Sequence, residues 1–224
     1  IFESIKNYLY KNNKISKDWN SLNVISENAA SVGSFDLGIY QTEDGFNPIL
    51  KNLQNNKYDL VFLLAQDNLS FNKKNEFIIY QGSHGDKGAT IADIILPGSA
   101  YTEQNGYYTN LEGRLQKAQK ASYPPGEAKE DWMIINELAE IISGKKLFKD
   151  KDELDSSMLN YLNLFKENNL NKNYSHLTDL KFISENISIA DNDYYYSNAI
   201  ARASKTMFEC RNLKTNLKLT GTEG

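Results

Sequence analysis

Residues 60–65, LVFLLA, form an apolar run with no polar residue to mark an outer face. The run is too short for a helix of its own and reads as a strand. A strand without alternation is one buried on both faces, as in a parallel sheet covered by helices. Two further runs of strand type follow, FIIY at 77–80 and IIL at 94–96, separated by polar and glycine-rich connections. Strands joined by polar crossovers and flanked by helices predict an α/β fold with a doubly wound, mostly parallel sheet. Ligands in such sheets sit beyond the carboxyl ends of the strands. Here that edge would present Gln66, Asp67 and the loop 81–87.

Helical periodicity surrounds this centre. Over 16–32, Trp19, Leu22, Ile25, Ala29 and Val32 recur at three- and four-residue steps, with Ser16 or Asp18 as cap and Gly33 as terminator. Turn signals at Asp44-Gly45 and Asn47-Pro48 precede a short helix over Pro48–Gln54, with Pro48 at its first position. Tyr123-Pro124-Pro125-Gly126 is a strong breaker. A helix over 127–143 follows, with Trp132, Ile135, Leu138 and Ile142 on one face and Gly144 at its end. A second helix fits 152–167, with Leu154, Met158, Tyr161 and Phe165 on one side, and a last one fits 197–213. Between them the chain turns Asn-rich and aperiodic. The expected division is an α/β domain over 1–145 and a partly helical C-terminal extension over 146–224.

Composition narrows the function classes. The 224 residues carry a net charge of −4, which disfavours a broad electrostatic grip on nucleic acid. No run approaches the roughly 18 apolar residues that a membrane-spanning helix needs, so no direct span is expected. The single cysteine, Cys210, can form no internal disulfide and cannot supply the thiolate set of an iron–sulfur cluster. The sequons at Asn68, Asn173 and Asn186 read as chance in an Asn-rich chain. The chain opens at Ile1 with a segment that has acidic residues and no arginine, unlike a mitochondrial transit peptide. It reads as a piece of something larger. The weight of Asn, Lys, Ile and Tyr fits an AT-rich genome, of an organelle or a low-GC bacterium.

The densest chemistry lies in 76–116. The loop GSHGDKGA follows the second strand and holds a histidine, an aspartate and three glycines. One reading is a ligand-binding turn. Amides freed by Gly82, Gly85 and Gly88 would approach a phosphate or pterin, with His84 and Asp86 lending polarity. The spacing matches neither GxGxxG nor GxxxxGK[ST]. The plainer reading, favoured by the residue types, is a tight strand-to-helix connection with Asp86 capping a helix that begins near Lys87. Gly85 at positive φ would make a valine there cost about 1–2 kcal/mol. Further on, Asn105-Gly106 and Glu112-Gly113 mark turns around an extended 107–109, and Glu112 with Arg114 reads as a surface ion pair or a ligand contact. His176 has no partner motif. No catalytic triad, paired catalytic carboxylates or metal-ligand spacing emerges, so no catalytic and no metal residue is named.

The blocks IIYQGSHGDKGA (78–89), IADIILPGSAYTEQNGYYTNLEGRLQ (91–116) and PPGEAKEDWMIINELAEI (124–141) carry a family resemblance. They resemble the molybdopterin-oxidoreductase signature in the form found in the large iron–sulfur subunits of respiratory complex I. Weaker similarity runs through 16–38 and 197–210. The resemblance is to the C-terminal portion of such subunits and implies a Rossmann-like α/β fold. It also implies a chain without molybdenum or pterin, whose iron–sulfur clusters sit in an N-terminal region or partner chain not represented here. On that reading Gly82, His84, Gly85, Asp86, Asn110, Glu112 and Arg114 mark an inherited, vestigial pocket. The expected role is a non-catalytic part of the peripheral arm, beside other subunits that include an iron–sulfur-bearing chain. The expected place is the matrix side of the mitochondrial inner membrane, or the cytoplasmic face of a bacterial one. Two other readings are a fragment of an active molybdopterin oxidoreductase and a free-standing nucleotide-binding module using the 66–87 edge.

Overall fold

The computed structural model describes residues 2–15, 19, 21–26, 28–39, 48–67, 69, 71–170 and 193–217. The turn signals in 40–47, the sequon asparagines Asn68, Asn173 and Asn186, and His176 lie outside them. In chain order the elements are α1 (Phe2–Lys11), α2 (Ser31–Asp36), α3 (Pro48–Gln54), β1 (Leu60–Leu64), β2 (Phe77–Gly82), α4 (Lys87–Ile91), β3 (Ile94–Pro97), β4 (Gly106–Thr109), β5 (Leu115–Ala118), α5 (Asp131–Ser143), α6 (Lys151–Leu170), a 3-10 turn (Tyr194–Tyr196), α7 (Ala199–Ala203) and α8 (Lys205–Leu217).

The chain forms two compact units, each discontinuous in sequence. One takes 1–46, 105–120 and 138–186; the other takes 47–104, 121–137 and 187–224. The sequence position 145/146 falls inside the first unit.

The second unit holds the parallel sheet, in the order β1-β2-β3. Leu60 pairs with Phe77 and Leu64 with Gln81 across the first ladder, and Ile79 pairs with Ile94 across the second. All three apolar runs of the sequence are therefore strands, parallel as expected. Successive side chains in a strand point to opposite faces, and the register sorts them. Val61, Leu63, Ile78, Tyr80 and Ile95 share one face; Leu60, Phe62, Leu64, Phe77, Ile79, Gln81 and Ile94 share the other. The first face carries the core, in which buried Leu63, Ile78 and Tyr80 are packed by Leu69 and Phe71 from one crossover and Ala89, Ile91 and Ala92 from the next. Burial on both faces was the expectation from LVFLLA, and it holds for one face only: Leu60 and Leu64 stay more than half exposed. Asp93, just before β3, ties the crossover down by accepting from Ile78 N at 2.8 Å and Lys73 Nζ at 2.6 Å.

In the first unit β4 and β5 form an antiparallel hairpin, with Tyr107 opposite Lys117. Among the described residues the helix expected over 16–32 is not formed: 21–26 have no regular structure and helix appears only in α2, while the expected caps Ser16 and Asp18 lie outside the described residues. Ser, Asn and Glu dilute the apolar positions, and short helices survive only where a packed face supports them. Ile25 and Trp19, on the supposed inner stripe, are exposed. Gly33 does not terminate a helix but lies inside α2, which packs against β4; a Cβ there would stand 3.6 Å from Thr109 Oγ1.

The other helices follow the sequence with shifts at their ends. Helix α5 starts at Asp131 rather than 127, because Gly126 sits at φ +56° and Lys129 is bridged to Gly98 beside the sheet. Gly144, at φ +71°, closes it by donating to Glu140 O at 2.8 Å. Its expected inner face is only partly covered, with Ile142 exposed. Helix α6 opens with reciprocal capping, Glu153 N donating to Asp150 Oδ1 at 2.9 Å and Lys149 N to Glu153 Oε2 at 2.6 Å. Its buried seam runs through Asp155 and Leu162, one position round from the expected stripe, and Tyr161 is half exposed. The expected helix over 197–213 is split into α7 and α8, with Ser204 extended between them.

Candidate functional site

The loop after β2 is built around Tyr80. Its hydroxyl lies 3.0 Å from both Asp67 Oδ2 and His84 O, and the residue is 2% exposed. Asp67, also buried, stands beyond the carboxyl end of β1 and accepts from Gly88 N with its other oxygen at 3.1 Å. One carboxylate thus joins the tyrosine, the loop and the first turn of α4. Burial pushes the Tyr80 phenol well above the ordinary tyrosine range. The hydrogen bond to Asp67 and the charges of Asp67 and Asp86 raise it further, against the opposing charge of Arg202.

The glycines answer to that ring. A Cβ on Gly82 would meet Tyr80 Oη at 2.5 Å, and one on Gly88 would meet the ring at 2.6 Å and Gln66 O at 2.7 Å. Gly85, by contrast, has no atom within 4 Å of a Cβ, and its φ is not in the positive range. The strain expected of a valine at Gly85 is therefore absent. Asp86 does not cap α4 with its side chain as expected; its Oδ2 accepts from Arg202 Nε at 2.5 Å, and Arg202 also donates to Tyr196 O at 3.0 Å. The capping position lost to this long-range ion pair, which a local pattern cannot reveal. His84 turns its Nδ1 to Ser83 Oγ at 2.9 Å. Of the amides that a phosphate or pterin could use at this turn, that of Gly88 is already given to Asp67.

A second polar cluster lies on the other side of β2. Gln81 Nε2 donates to Asp131 Oδ1 at 2.9 Å, and Gln104 Nε2 donates to Asp131 Oδ2 at 2.9 Å. Asp131 opens α5, so the two glutamines anchor that helix start to the sheet. A Cβ on Gly98 would meet Asp131 Oδ1 at 2.6 Å, so only glycine lets the carboxylate approach.

The remaining candidates belong to the first unit. Asn110 Oδ1 accepts from Glu112 N at 3.1 Å and Arg114 N at 2.8 Å, and Gly113 takes φ +81°. This is a self-contained turn linking β4 to β5. Glu112 and Arg114 are exposed, and among the described residues the ion pair the sequence allows between them is not formed. Nearby, buried Asp155 of α6 accepts from Lys151 Nζ at 2.8 Å, Lys117 Nζ at 3.2 Å and Tyr107 Oη at 3.3 Å, fastening the helix to the hairpin. Burial alone would raise its pKa, and the two lysines more than offset that, leaving it below the usual carboxylate value.

Sequence reasoning placed Asp67 and Gln81 at the carboxyl edge but missed Tyr80, Asp131, Asp155 and Arg202. Tyr80 reads as one apolar member of FIIY, and nothing local couples Arg202 to Asp86. Among the described residues no His/Cys/Asp/Glu group could hold a metal ion, and no helix is long and apolar enough to cross a membrane.

A parallel sheet with its crossovers on one face and a glycine-rich loop at its carboxyl edge defines an α/β domain of the kind that carries loop-borne sites. Residues 1–141 match the family described as molybdopterin oxidoreductase, and the chain belongs to that family. Its relatives point further. The NADH-ubiquinone oxidoreductase 75 kDa subunit of Reclinomonas americana is 38% identical over 221 residues, covering 95% of this chain and 32% of its own length. An NADH-quinone oxidoreductase subunit of Rickettsia bellii is 38% identical over 231 residues, covering 99% and 32%. The mitochondrial NADH-ubiquinone oxidoreductase 78 kDa subunit of Candida albicans is 34% identical over 215 residues, covering 87% and 28%. The chain spans about a third of the length of these curated relatives.

Proposed function

We propose that this chain is a non-catalytic structural part of the peripheral arm of respiratory complex I, NADH:ubiquinone oxidoreductase. It supports electron transfer by cluster-bearing regions and carries no redox group itself. The family match and the names of the relatives support the assignment to the complex. One observation carries the non-catalytic part: the loop that a cofactor would use is spent on the fold. Its amide at Gly88 goes to Asp67, the space over Gly82 and Gly88 goes to the Tyr80 ring, and the charge of Asp86 goes to Arg202. A group catalysing a redox step has to touch the reacting atoms, and these side chains touch one another.

Iron–sulfur clusters then belong to the remainder of the large subunit or to a partner chain, and the neighbours are other peripheral-arm subunits. The place is the matrix side of the mitochondrial inner membrane, or the cytoplasmic face of a bacterial one, with attachment through partners. The test is metal and pterin analysis of the purified complex together with a His84→Ala variant. Molybdenum and pterin below stoichiometric levels, with NADH oxidation unchanged in the variant, is the expected result. Stoichiometric molybdenum, or selective loss of NADH oxidation with normal assembly, would overturn the proposal and favour a fragment of an active molybdopterin oxidoreductase.

A further inference from the structure

The C-terminal stretch of the second unit is bonded largely to itself. Asp193 accepts from Tyr195 N at 3.2 Å and pairs with Arg211 of α8. The Arg211 guanidinium lies 4.7 Å from the Tyr196 ring centre, and Lys214 Nζ lies 5.8 Å from that of Tyr195. Asn198 caps α7 by accepting from Ala201 N at 2.9 Å, and Ser204 caps α8 by accepting from Met207 N at 3.3 Å. The 3-10 turn, α7 and α8 thus close into one hook over 193–217.

The hook is seated shallowly. Ala201 is its one buried residue among those described, while Tyr194, Phe208 and Leu213 are exposed. Toward the sheet, Arg202 Nε donates to Asp86 Oδ2 at 2.5 Å, and its Nη1 donates to Tyr196 O at 3.0 Å. One guanidinium therefore ties the hook to itself and to the loop after β2. The two side chains are 32% and 21% exposed, so salt screens this pair less than a surface one. A segment with little buried apolar surface and its own internal bonds opens as a unit, at less cost than global unfolding.

We infer that 193–217 is a C-terminal clasp at the carboxyl edge of the sheet, with the Arg202–Asp86 pair as its catch. Closed, it neutralises Asp86 and holds the loop. Open, it leaves the Asp86 carboxylate free in a pocket lined by Gly85, Lys87, Ala89 and Thr90. That is the edge at which sheets of this class take their ligands. Asp67 still holds Tyr80 and the Gly88 amide, so the sheet keeps its form when the clasp opens.

The test is hydrogen exchange on the full chain in its native assembly, read by mass spectrometry. In the unaltered protein the amides of α7 and α8 are expected to exchange together and ahead of β1–β3. Arg202→Gln is expected to speed 193–217 and 84–90 by about tenfold or more, the worth of a charged hydrogen bond, with β1–β3 unchanged. Asp86→Asn cuts the same pair from the loop side and keeps the readout if the first variant fails to assemble. Either change alone breaks the catch, so the double variant is expected to exchange no faster than the quicker single. Exchange of α7 and α8 in step with the strands overturns the inference. So does a change confined to one side of the pair, or additive effects in the double variant.

Discussion

The loop after β2 and the turn between β4 and β5 look alike as sequence: glycines, an amide or carboxylate, a charge or two. They are held in opposite ways. The β4–β5 turn is closed by its own residues, Asn110 binding the amides two and four positions on and Gly113 taking the left-handed backbone. The β2 loop is held from a distance, by Asp67 from beyond β1 and Arg202 from α7. A locally closed turn is an independent part that can be altered at small cost. A loop braced by buried long-range contacts is part of the core and cannot.

Substitutions can break that contrast. The largest effect is expected for Gly88→Ala, whose Cβ meets both a buried ring and the backbone carbonyl of Gln66. Such overpacking costs about 2–3 kcal/mol, read as a lower midpoint in chemical denaturation. Gly85→Ala, three residues away in open space, is expected to leave the midpoint nearly unchanged. Equal losses at the two positions would show that the ring does not dictate the loop.

Next is Asp67→Ala, which strands the Gly88 amide in a buried setting and leaves the Tyr80 hydroxyl with His84 O alone. Unsatisfied buried donors cost about 1–3 kcal/mol, and Tyr80→Phe is expected to cost less, since it removes the hydroxyl together with its contacts to Asp67 and His84 and leaves the Gly88 contact. Hydrogen exchange at Gly88 should accelerate in Asp67→Ala and barely move in Tyr80→Phe.

In the β4–β5 turn, Gly113→Ala is expected to cost about 1 kcal/mol, the penalty of a side chain at positive φ. Asn110→Ala should cost about as much or less, because its amides are exposed to water once released. A loss at Asn110 as large as that at Asp67 would erase the distinction between the two regions.

The smallest effect is a slope with pH. The Asp155 pKa is lowered in the folded chain, so its stabilisation is complete above the unfolded value, near ~3.9. It is lost as pH falls through the lower folded value. Denaturation midpoints between about pH 5 and pH 2 should therefore fall less steeply in Asp155→Asn than in the unaltered chain. A parallel slope in the variant would mean that Lys117 and Lys151 do not hold Asp155 as the geometry indicates.

The strands were legible because their signal is local. LVFLLA, FIIY and IIL bury or pair wherever they go, and Pro48, Gly126 and Gly144 mark element ends through backbone limits that hold in any context. The helix over 16–32 was misread because periodicity states only what a helix would present; with nothing packed on Ile25, the pattern has no force. The α6 seam was displaced for a related reason, since Lys117 and Tyr107 draw Asp155 inward and the helix turns with it.

The sequence by itself determined the parallel α/β class, the positions of the three parallel strands, the turn at Glu112-Gly113 and the family. Each depends on residue type within a few positions, where sterics and hydrogen bonding act without help. Tertiary structure alone decided that Tyr80 fills the space over Gly82 and Gly88, that Asp86 answers Arg202 rather than α4, and that Leu60 and Leu64 stay exposed. Those outcomes depend on which distant groups meet, and a pair 116 residues apart leaves no local trace.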